Sequence, residues 1–182
     1  MTIPIDHIEA QLKTLGAQKK LDEWNPETSG EIDIHIKANG EWFHEGSKIE
    51  RQGLITLFSS ILRRETDGHF YLVTPVEKWR IQVEDAPLIV TKIDALHPGT
   101  NQQAIQFTLN NGDYGTINSQ YKLWVETTSE THEPAPYIAL PHGLHAKLNR
   151  SSFYHLIDYA VEEGQQMKVY SDSHWFILGK TA

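Results

Sequence analysis

Three stretches of the chain place apolar residues at helical spacing. The first, residues 4–22, begins its apolar stripe at Ile5 and repeats it every three or four residues, as an amphipathic helix does. Residues 51–64 and 151–163 show the same spacing. The two arginines that close residues 51–64 suit the negative end of a helix dipole. The pattern therefore predicts three helices.

Elsewhere, apolar and polar residues alternate, which is typical of half-buried strands. A strand is predicted over residues 32–36, and Asn39 with Gly40 predicts a type I′ turn into a returning strand at residues 41–44. Further strands are predicted at residues 70–73, 79–83, 88–93, 104–109, 121–125, 167–170 and 175–178, and short strands or extended segments at residues 137–140 and 144–147. Helices and strands in this arrangement predict an α+β fold.

An internal repeat relates the second and third helices. With Arg150 placed on Arg51, Leu156 falls on Leu57, and the match continues without a gap into the strands that follow. Any two amphipathic helices can be aligned by sliding, which is the alternative explanation. The match beyond the helix favours a duplicated α+β unit, in which a cleft between the copies is expected. Clefts of this kind are preferred ligand sites.

The amino-acid composition disfavours several classes of partner and of chemistry. The 182 residues include 24 acidic and 16 basic side chains, which give a formal net charge of −8. This acidic balance disfavours nucleic acid and anionic membranes as partners. Cysteine is absent, which excludes disulfides, thiolate nucleophiles and iron–sulfur clusters. No apolar run is long enough to span a membrane, and the first residues lack the pattern of a signal peptide. A cytoplasmic protein is expected.

Motifs for catalysis or cofactor binding are absent from the sequence. There is no nucleophile elbow, phosphate-binding loop or dinucleotide fingerprint. His142 and His145 lie three apart, but Pro141 and Gly143 argue against the helix that would bring both rings to one metal. No cofactor and no metal are predicted. An enzyme is therefore the weakest interpretation, and it would have to use Glu77, Asp85 or the histidines.

Charges of both signs are dense between residues 63 and 85. Arginine forks suit phosphate and carboxylate oxygens, so this stretch can be interpreted as an anion site. The alternative is a solvated sheet face, on which each cross-strand ion pair contributes about 0–1 kcal/mol. Composition by itself favours that alternative.

Residues 40–90, beginning GEWFHEGSKIERQGLITLFSSILRRETDG, resemble a bacterial family known as domain of unknown function 1285. A weaker resemblance continues through PYIALPHGLHAKLNRSSFYHLIDYAV and VYSDSHWFILG. The resemblance implies domain duplication and a second domain like a pleckstrin-homology fold. It also implies a ligand site at the domain interface for a nucleotide-like molecule, and a role in signalling. No activity is established for the family.

The family's characteristic polar residues match nine positions of this chain: Arg63, Arg64, Thr74, Glu77, Lys78, Glu84, Asp85, Tyr137 and Arg150. By this carry-over, Arg63, Arg64 and Lys78 are expected to contact phosphate or carboxylate groups. Glu77 and Asp85 are expected to position those cations or to accept hydrogen bonds from a base or ribose. Thr74 is expected to donate to the ligand.

Together, the residues and the resemblance predict a non-catalytic, regulatory protein that binds a phosphorylated or nucleotide-like small molecule. The predicted divisions are an N-terminal helix at residues 1–24, an α+β subdomain at 25–90, and a pleckstrin-homology-like subdomain rich in antiparallel sheet at 91–182. A protein–protein interaction module without a small-molecule ligand is the alternative. That module would lack a pocket and expose a large apolar patch instead.

Overall fold

The computed structural model describes residues 5–16 and 20–181. These residues divide into two compact units. Unit 1 comprises residues up to Pro87 together with residues 141–144, and unit 2 comprises residues 88–140 and the chain from His145 onward. In the described part of the chain, no helix is long and apolar enough to cross a membrane.

The described residues of unit 1 form one mixed six-stranded sheet and two α-helices. Its elements are α1 (Ile5–Leu15), a 3₁₀ turn (Leu21–Glu23), β1 (Gly30–Ile36), β2 (Trp42–His44), β3 (Ser47–Lys48), α2 (Gln52–Ser59), β4 (Leu62–Arg64), β5 (Phe70–Val73) and β6 (Lys78–Val83). The strand order is β3-β2-β1-β6-β5-β4, in which β1 and β6 are parallel. The core includes Trp42 and Phe58, whose ring centroids lie 6.3 Å apart.

Unit 2 contains a six-stranded sheet, a three-stranded sheet and one helix among its described residues. Its elements are β7 (Leu88–Leu96), β8 (Ala104–Leu109), β9 (Tyr114–Thr116), β10 (Leu123–Thr127), β11 (Pro134–Ala139), β12 (His145–Leu148), α3 (Arg150–Asp158), β13 (Ala160–Glu163), β14 (Gln166–Ser171) and β15 (His174–Lys180). The larger sheet has the order β10-β11-β12-β7-β8-β9 and the smaller β13-β14-β15. Apart from the parallel pair β7 and β12, the neighbouring strands are antiparallel.

The duplication is visible in each unit as a short helix followed by a three-stranded antiparallel meander. In unit 1 this is α2 with β4, β5 and β6, and in unit 2 it is α3 with β13, β14 and β15. The two-domain duplicated organisation is thus confirmed, and the mixed sheets with three helices among the described residues give a fold that is α+β or mostly β. Both sheets of unit 2 bury one apolar face in a shared core that includes Ile105, Phe107 and Leu156.

Both predicted repeat helices are too long. The α2 helix ends at Ser59, where the hydroxyl groups of Ser59 and Ser60 bond to the carbonyl oxygens of Ile55 and Leu57. Side chains of this kind compete for the carbonyls of a last turn. The predicted helical positions Arg63 and Arg64 therefore lie in strand β4 and not at a helix end. Likewise, α3 ends at Asp158, and residues 160–163 form strand β13.

The structure differs from two further local predictions. The predicted helix over residues 4–22 is α1, which ends at Leu15, and its predicted residues 4 and 17–19 lie outside the described residues. At the predicted type I′ turn only Gly40 has a positive φ, 84°, and the Asn39 carboxamide instead accepts from the Glu41 amide. A type I′ turn needs positive φ at both central residues, so this prediction was wrong.

Candidate functional site

Arg63 and Lys78 lie on either side of one carboxylate in unit 1. The Arg63 guanidinium donates to Glu65 Oε1 at 2.5 Å and to the carbonyl oxygens of Leu21 and Trp24 at 3.0 and 2.8 Å. Lys78 Nζ donates to the other Glu65 oxygen at 2.9 Å and lies 5.0 Å from the centroid of a tyrosine ring. Both cations are thus compensated within unit 1.

Glu65 is held ionised by this arrangement. Burial raises the pKa of Glu65, but the hydrogen bonds from Arg63 and Lys78 outweigh it, so that the pKa is lowered. The side chains of all three are mostly buried. A partly buried charge network with every member paired stabilises one geometry of the strands that hold it.

A second carboxylate, Asp67, lies in the turn between β4 and β5. Its oxygens accept from the Tyr71 hydroxyl at 2.7 Å and from the His69 amide at 2.8 Å. The hydrogen bond from Tyr71 is the main reason why the pKa of Asp67 is lowered, and the same bond raises the pKa of Tyr71. These contacts close the turn that carries Glu65.

Thr74 and Glu77 share the tight turn between β5 and β6. Thr74 is fully buried, and its hydroxyl accepts from the Glu77 amide at 3.1 Å. The Glu77 carboxylate accepts from Gln11 Nε2 on α1 at 3.3 Å. The Thr74 hydroxyl therefore has a structural partner within its own turn.

The remaining predicted residues of unit 1 are dispersed. Arg64 is exposed, donates to the Gly68 carbonyl at 3.2 Å and packs over a phenylalanine ring. Glu84, just after β6, accepts from the Ala38 amide at 2.8 Å and contacts His35 Nε2 at 3.1 Å. Asp85 is half-buried at the following position. Of the predicted residues in this unit, the structure brings Arg63 together with Lys78 and Thr74 together with Glu77.

Tyr137 belongs to an aromatic cluster on the larger sheet of unit 2. Its ring stacks on Trp124, with centroids 5.4 Å apart and planes inclined by 22°, and meets His145 edge-on at 5.6 Å. Lys147 Nζ lies 5.8 Å from the Tyr137 ring centroid. Because Lys147 is the register partner of Tyr137 on β12, strand pairing places this ammonium over the ring.

Arg150 lines a groove beside α3, entirely within unit 2. The groove has a cavity volume of about 420 Å³. Its lining combines apolar side chains with a few polar ones: Thr128, Glu133, Pro134, Ala135, Pro136, Lys147, Leu148, Arg150, Phe153, Tyr154 and Ile157. Arg150 is exposed, and its guanidinium forms no ion pair or hydrogen bond with the described residues. The groove thus offers a cation to an anionic guest.

The described residues 5–16 and 20–181 contain no cluster of three or more histidine, aspartate or glutamate side chains that could hold a metal ion. His142, one of the two histidines of the PHGLH segment, contacts Asp22 through Nδ1 at 2.7 Å.

Two family models match nearly the whole chain. The N-terminal domain of DUF1285, a domain of unknown function, matches residues 20–86, and its C-terminal domain matches residues 87–178. The chain belongs to the DUF1285 family. The resemblance found in the sequence is thereby confirmed. No curated protein matches the chain.

Two solved DUF1285 structures are similar to this chain. A family protein from Silicibacter pomeroyi DSS-3 is 35% identical, with a TM-score of 0.84 over 92% of this chain and 93% of that one. A family protein from Shewanella baltica OS155 is 27% identical, with a TM-score of 0.53 over 69% of this chain and 91% of that one. Both relatives are described as DUF1285 family proteins, without an activity.

Among the residues that line the groove of this DUF1285 protein, Arg150 is the one that the sequence predicts as a site residue. Lys147 lies three residues before Arg150 in the segment KLNR, and this pair of cations was the available signal. Phe153 and Ile157 follow at helical spacing, a pattern that by itself predicts only the buried face of a helix. The contribution of Glu133 comes from a distant loop, and no local pattern indicates it.

Proposed function

We propose that this DUF1285 protein is a non-catalytic regulatory protein that binds a phosphorylated, nucleotide-like small molecule in the α3 groove of unit 2. The observation that carries the proposal is the Arg150 guanidinium, which has no partner among the described residues and lines a groove that also contains Lys147. An arginine fork binds phosphate oxygens bidentately, and a second cation strengthens the site.

The groove also suits the uncharged part of such a ligand. Its volume of about 420 Å³ falls within the range of small-molecule pockets, which are about 300–1,000 Å³. Phe153, Tyr154 and two prolines supply apolar surface against which a base or sugar ring can pack. The Glu133 carboxylate can accept hydrogen bonds from ribose hydroxyl groups, a role that the sequence predicts for Glu77 and Asp85.

The proposal of a non-catalytic role rests on the small number of potential catalytic groups among the residues that line the groove. The residues that line the groove include no serine, histidine or cysteine nucleophile and a single carboxylate, Glu133. General acid–base or nucleophilic catalysis normally needs a base paired with a second positioned group. A protein that binds a nucleotide-like ligand without turning it over serves as a sensor.

A pleckstrin-homology-like arrangement of unit 2 is part of the same proposal. The predominantly antiparallel strands of its two sheets and the single described helix α3 support it. Superposition of an experimental structure of unit 2 on pleckstrin-homology domains tests this likeness. A TM-score below 0.5 would remove it without affecting the ligand proposal.

The protein-interaction module is the alternative function, and it predicts an apolar patch in place of a pocket. Two cavities in unit 2, of about 420 and 330 Å³, support the small-molecule proposal over that alternative.

Isothermal titration of the full chain with inorganic phosphate, AMP, ATP and cyclic nucleotides tests the proposal. We expect at least one nucleotide to bind, and Arg150→Ala to weaken it about 10- to 100-fold, since a hydrogen bond to a charged group contributes about 1.5–3 kcal/mol. Lys122→Ala is the matched control, because Lys122 is exposed in the same unit and does not line the groove.

A second variant should change the phosphate affinity in the opposite direction to Arg150→Ala. Glu133→Gln removes a negative charge from the groove, so inorganic phosphate should bind more tightly to the variant than to the parent chain. Equal nucleotide affinity for the parent chain and Arg150→Ala would contradict the proposed site. Binding that is lost in Arg63→Ala and retained in Arg150→Ala would move the site to the Arg63 cluster.

A further inference from the structure

A second cavity of unit 2 lies beside the three-stranded sheet and has a volume of about 330 Å³. Its walls include Tyr159, Val161, Tyr170 and Trp175, and its remaining lining comes from the loop between β7 and β8, including Asn101. None of the residues that line the α3 groove lines this cavity. It is therefore a separate candidate site.

Aromatic rings form its principal surface. Tyr170 and Trp175 are register partners on β14 and β15, and their ring centroids lie 5.1 Å apart with the planes inclined by 60°. Trp175 remains 51% exposed, although a side chain of this size and polarity is normally largely buried. An exposed indole edge-on to a tyrosine is a surface on which a further aromatic ring can stack.

The wall of the cavity is preorganised by hydrogen bonds. Gln103, which is buried, donates from Nε2 to the Tyr170 carbonyl at 2.8 Å and accepts from the Gly99 amide at 2.7 Å. The Tyr170 hydroxyl donates to the Asn101 carbonyl at 3.1 Å. The loop and the strand are thus tied at both ends of the tyrosine, so a ligand would meet a fixed surface.

The residues that line the cavity favour an uncharged ligand. The lining contains no aspartate, glutamate, lysine, arginine or histidine. The Lys168 ammonium lies 4.6 Å from the Trp175 ring centroid, but it is paired with the Glu163 carboxylate, so its charge is already compensated. A charged guest would therefore lose hydration without gaining an uncompensated partner of opposite sign, which is costly. The Tyr159 hydroxyl, the Asn101 carboxamide and the Trp175 indole N–H form no hydrogen bond with other described residues, so they can serve a hydroxyl or carbonyl group on the guest.

We propose that this cavity is a binding site for an uncharged aromatic small molecule that carries one or two hydrogen-bonding groups, with the ring against Trp175 and Tyr170. The site is independent of the nucleotide-like ligand proposed for the α3 groove, because the two cavities share no lining residue. Failure of either proposal leaves the other standing.

The test uses full-length protein labelled with 5-fluorotryptophan, whose five tryptophans give separate ¹⁹F resonances. The Trp175 signal is assigned as the one missing from Trp175→Phe. On titration with phenol we expect a saturable shift of this resonance. Benzoate, which is charged, and cyclohexanol, which has no π-system, should each bind at least about tenfold more weakly.

Two variants form a matched pair on the same sheet. Val161→Glu introduces a carboxylate into the cavity lining at a position that is 45% exposed, so folding should be retained. Ile177→Glu introduces the same charge at a 54% exposed position outside the lining. Phenol binding should be lost in Val161→Glu and retained in Ile177→Glu.

The results that overturn the proposal are distinct. An unchanged Trp175 resonance through the millimolar range of phenol would do so, as would equal affinity for benzoate or cyclohexanol. Equal phenol binding by Val161→Glu and the parent chain would also overturn it. Dispersion of the other four tryptophan signals reports folding of each variant, so loss of binding is not confused with unfolding.

Discussion

Arg51 and Arg150, which the sequence repeat aligns, lie at the starts of α2 and α3, but only Arg51 has an anionic partner among the described residues. Arg51 is the N-cap of α2, and Arg150 is the first helical residue of α3. Arg51 Nη2 lies 3.0 Å from Glu9 Oε1 on α1, whereas Arg150 forms no ion pair with the described residues. The aligned arginines of the two repeats therefore have different environments. Arg51 pairs with Glu9 and so connects α1 to the start of α2, whereas Arg150 lines the α3 groove.

This difference predicts opposite phenotypes for the two alanine variants. Arg51→Ala removes one of the two cations that lower the pKa of Glu9, the other being Lys13, so the melting temperature should fall. Arg150→Ala should leave the melting temperature of the free protein within about one degree, because only a solvated side chain is lost. Thermal unfolding with and without nucleotide separates the two effects. A destabilised Arg150→Ala would indicate a structural role for this arginine.

Acidification should destabilise the protein through Glu65. Its folded-state pKa lies below the ordinary value of 4.5, so its stabilising contribution is complete above that value and is lost as the pH falls through the folded pKa. Urea unfolding between pH 7 and 3 should therefore show a falling free energy of unfolding below about pH 5. In Glu65→Gln this dependence should be weaker.

At pH 7 the same substitution should cost about 2–3 kcal/mol, somewhat less than the loss of a fully buried pair, because Arg63 and Lys78 remain with no carboxylate between them. Glu130→Gln is the control, since Glu130 is exposed. Equal stability of the two variants at pH 7 would show that the cluster contributes nothing to folding.

Gly143→Ala should destabilise unit 1 more than Gly164→Ala destabilises unit 2. Both glycines have positive φ, 71° and 64°, so an alanine at either costs about 1–2 kcal/mol in backbone strain. A Cβ at Gly143 would in addition lie 2.7 Å from the Arg64 carbonyl oxygen, whereas a Cβ at Gly164 meets nothing within 4 Å. Chemical denaturation measures the difference, and a larger loss in Gly164→Ala would contradict the close approach.

Ser171 should be sensitive to alanine despite its small size. Its hydroxyl accepts from the Ile105 amide at 2.8 Å and donates to the Ile117 carbonyl at 2.6 Å, all within the buried part of unit 2. Ser171→Ala leaves a buried backbone donor without a partner, which should lower the free energy of unfolding by about 1–3 kcal/mol. Ser119→Ala, at an exposed position, should change it by less than about 0.5 kcal/mol.

Regular periodicity made most strands predictable, and β5 and β8 have the predicted bounds. The helix ends were not predictable, because Ile61 and Leu62 are buried and continue the apolar spacing of α2 beyond its end. Leu62 instead pairs with Leu72 on β5, and the Ile61 carbonyl oxygen accepts from the Val73 amide. Helical and strand patterns coincide for such a short apolar run. Tertiary contacts therefore determine whether this apolar run forms helix or strand.

The sequence also indicated charges near Arg63 and Lys78 without indicating how they are compensated. Two of the Arg63 partners are carbonyl oxygens about 40 positions earlier in the chain. Backbone acceptors have no side-chain signature, so no motif could reveal them. For Arg150 the reverse holds, since its lack of an ion-pair partner among the described residues follows only from the folded structure.

The four residues 141–144 belong to unit 1, although the strands on both sides of them belong to unit 2. The Arg64 amide donates to the His142 carbonyl at 3.0 Å, and Asp22 contacts the His142 ring. During synthesis, the ribosome must therefore translate well beyond residue 87 before the N-terminal unit has all of its parts. Domains usually fold in order as they emerge. In this protein, the first unit can be completed only after residues 141–144 have been translated.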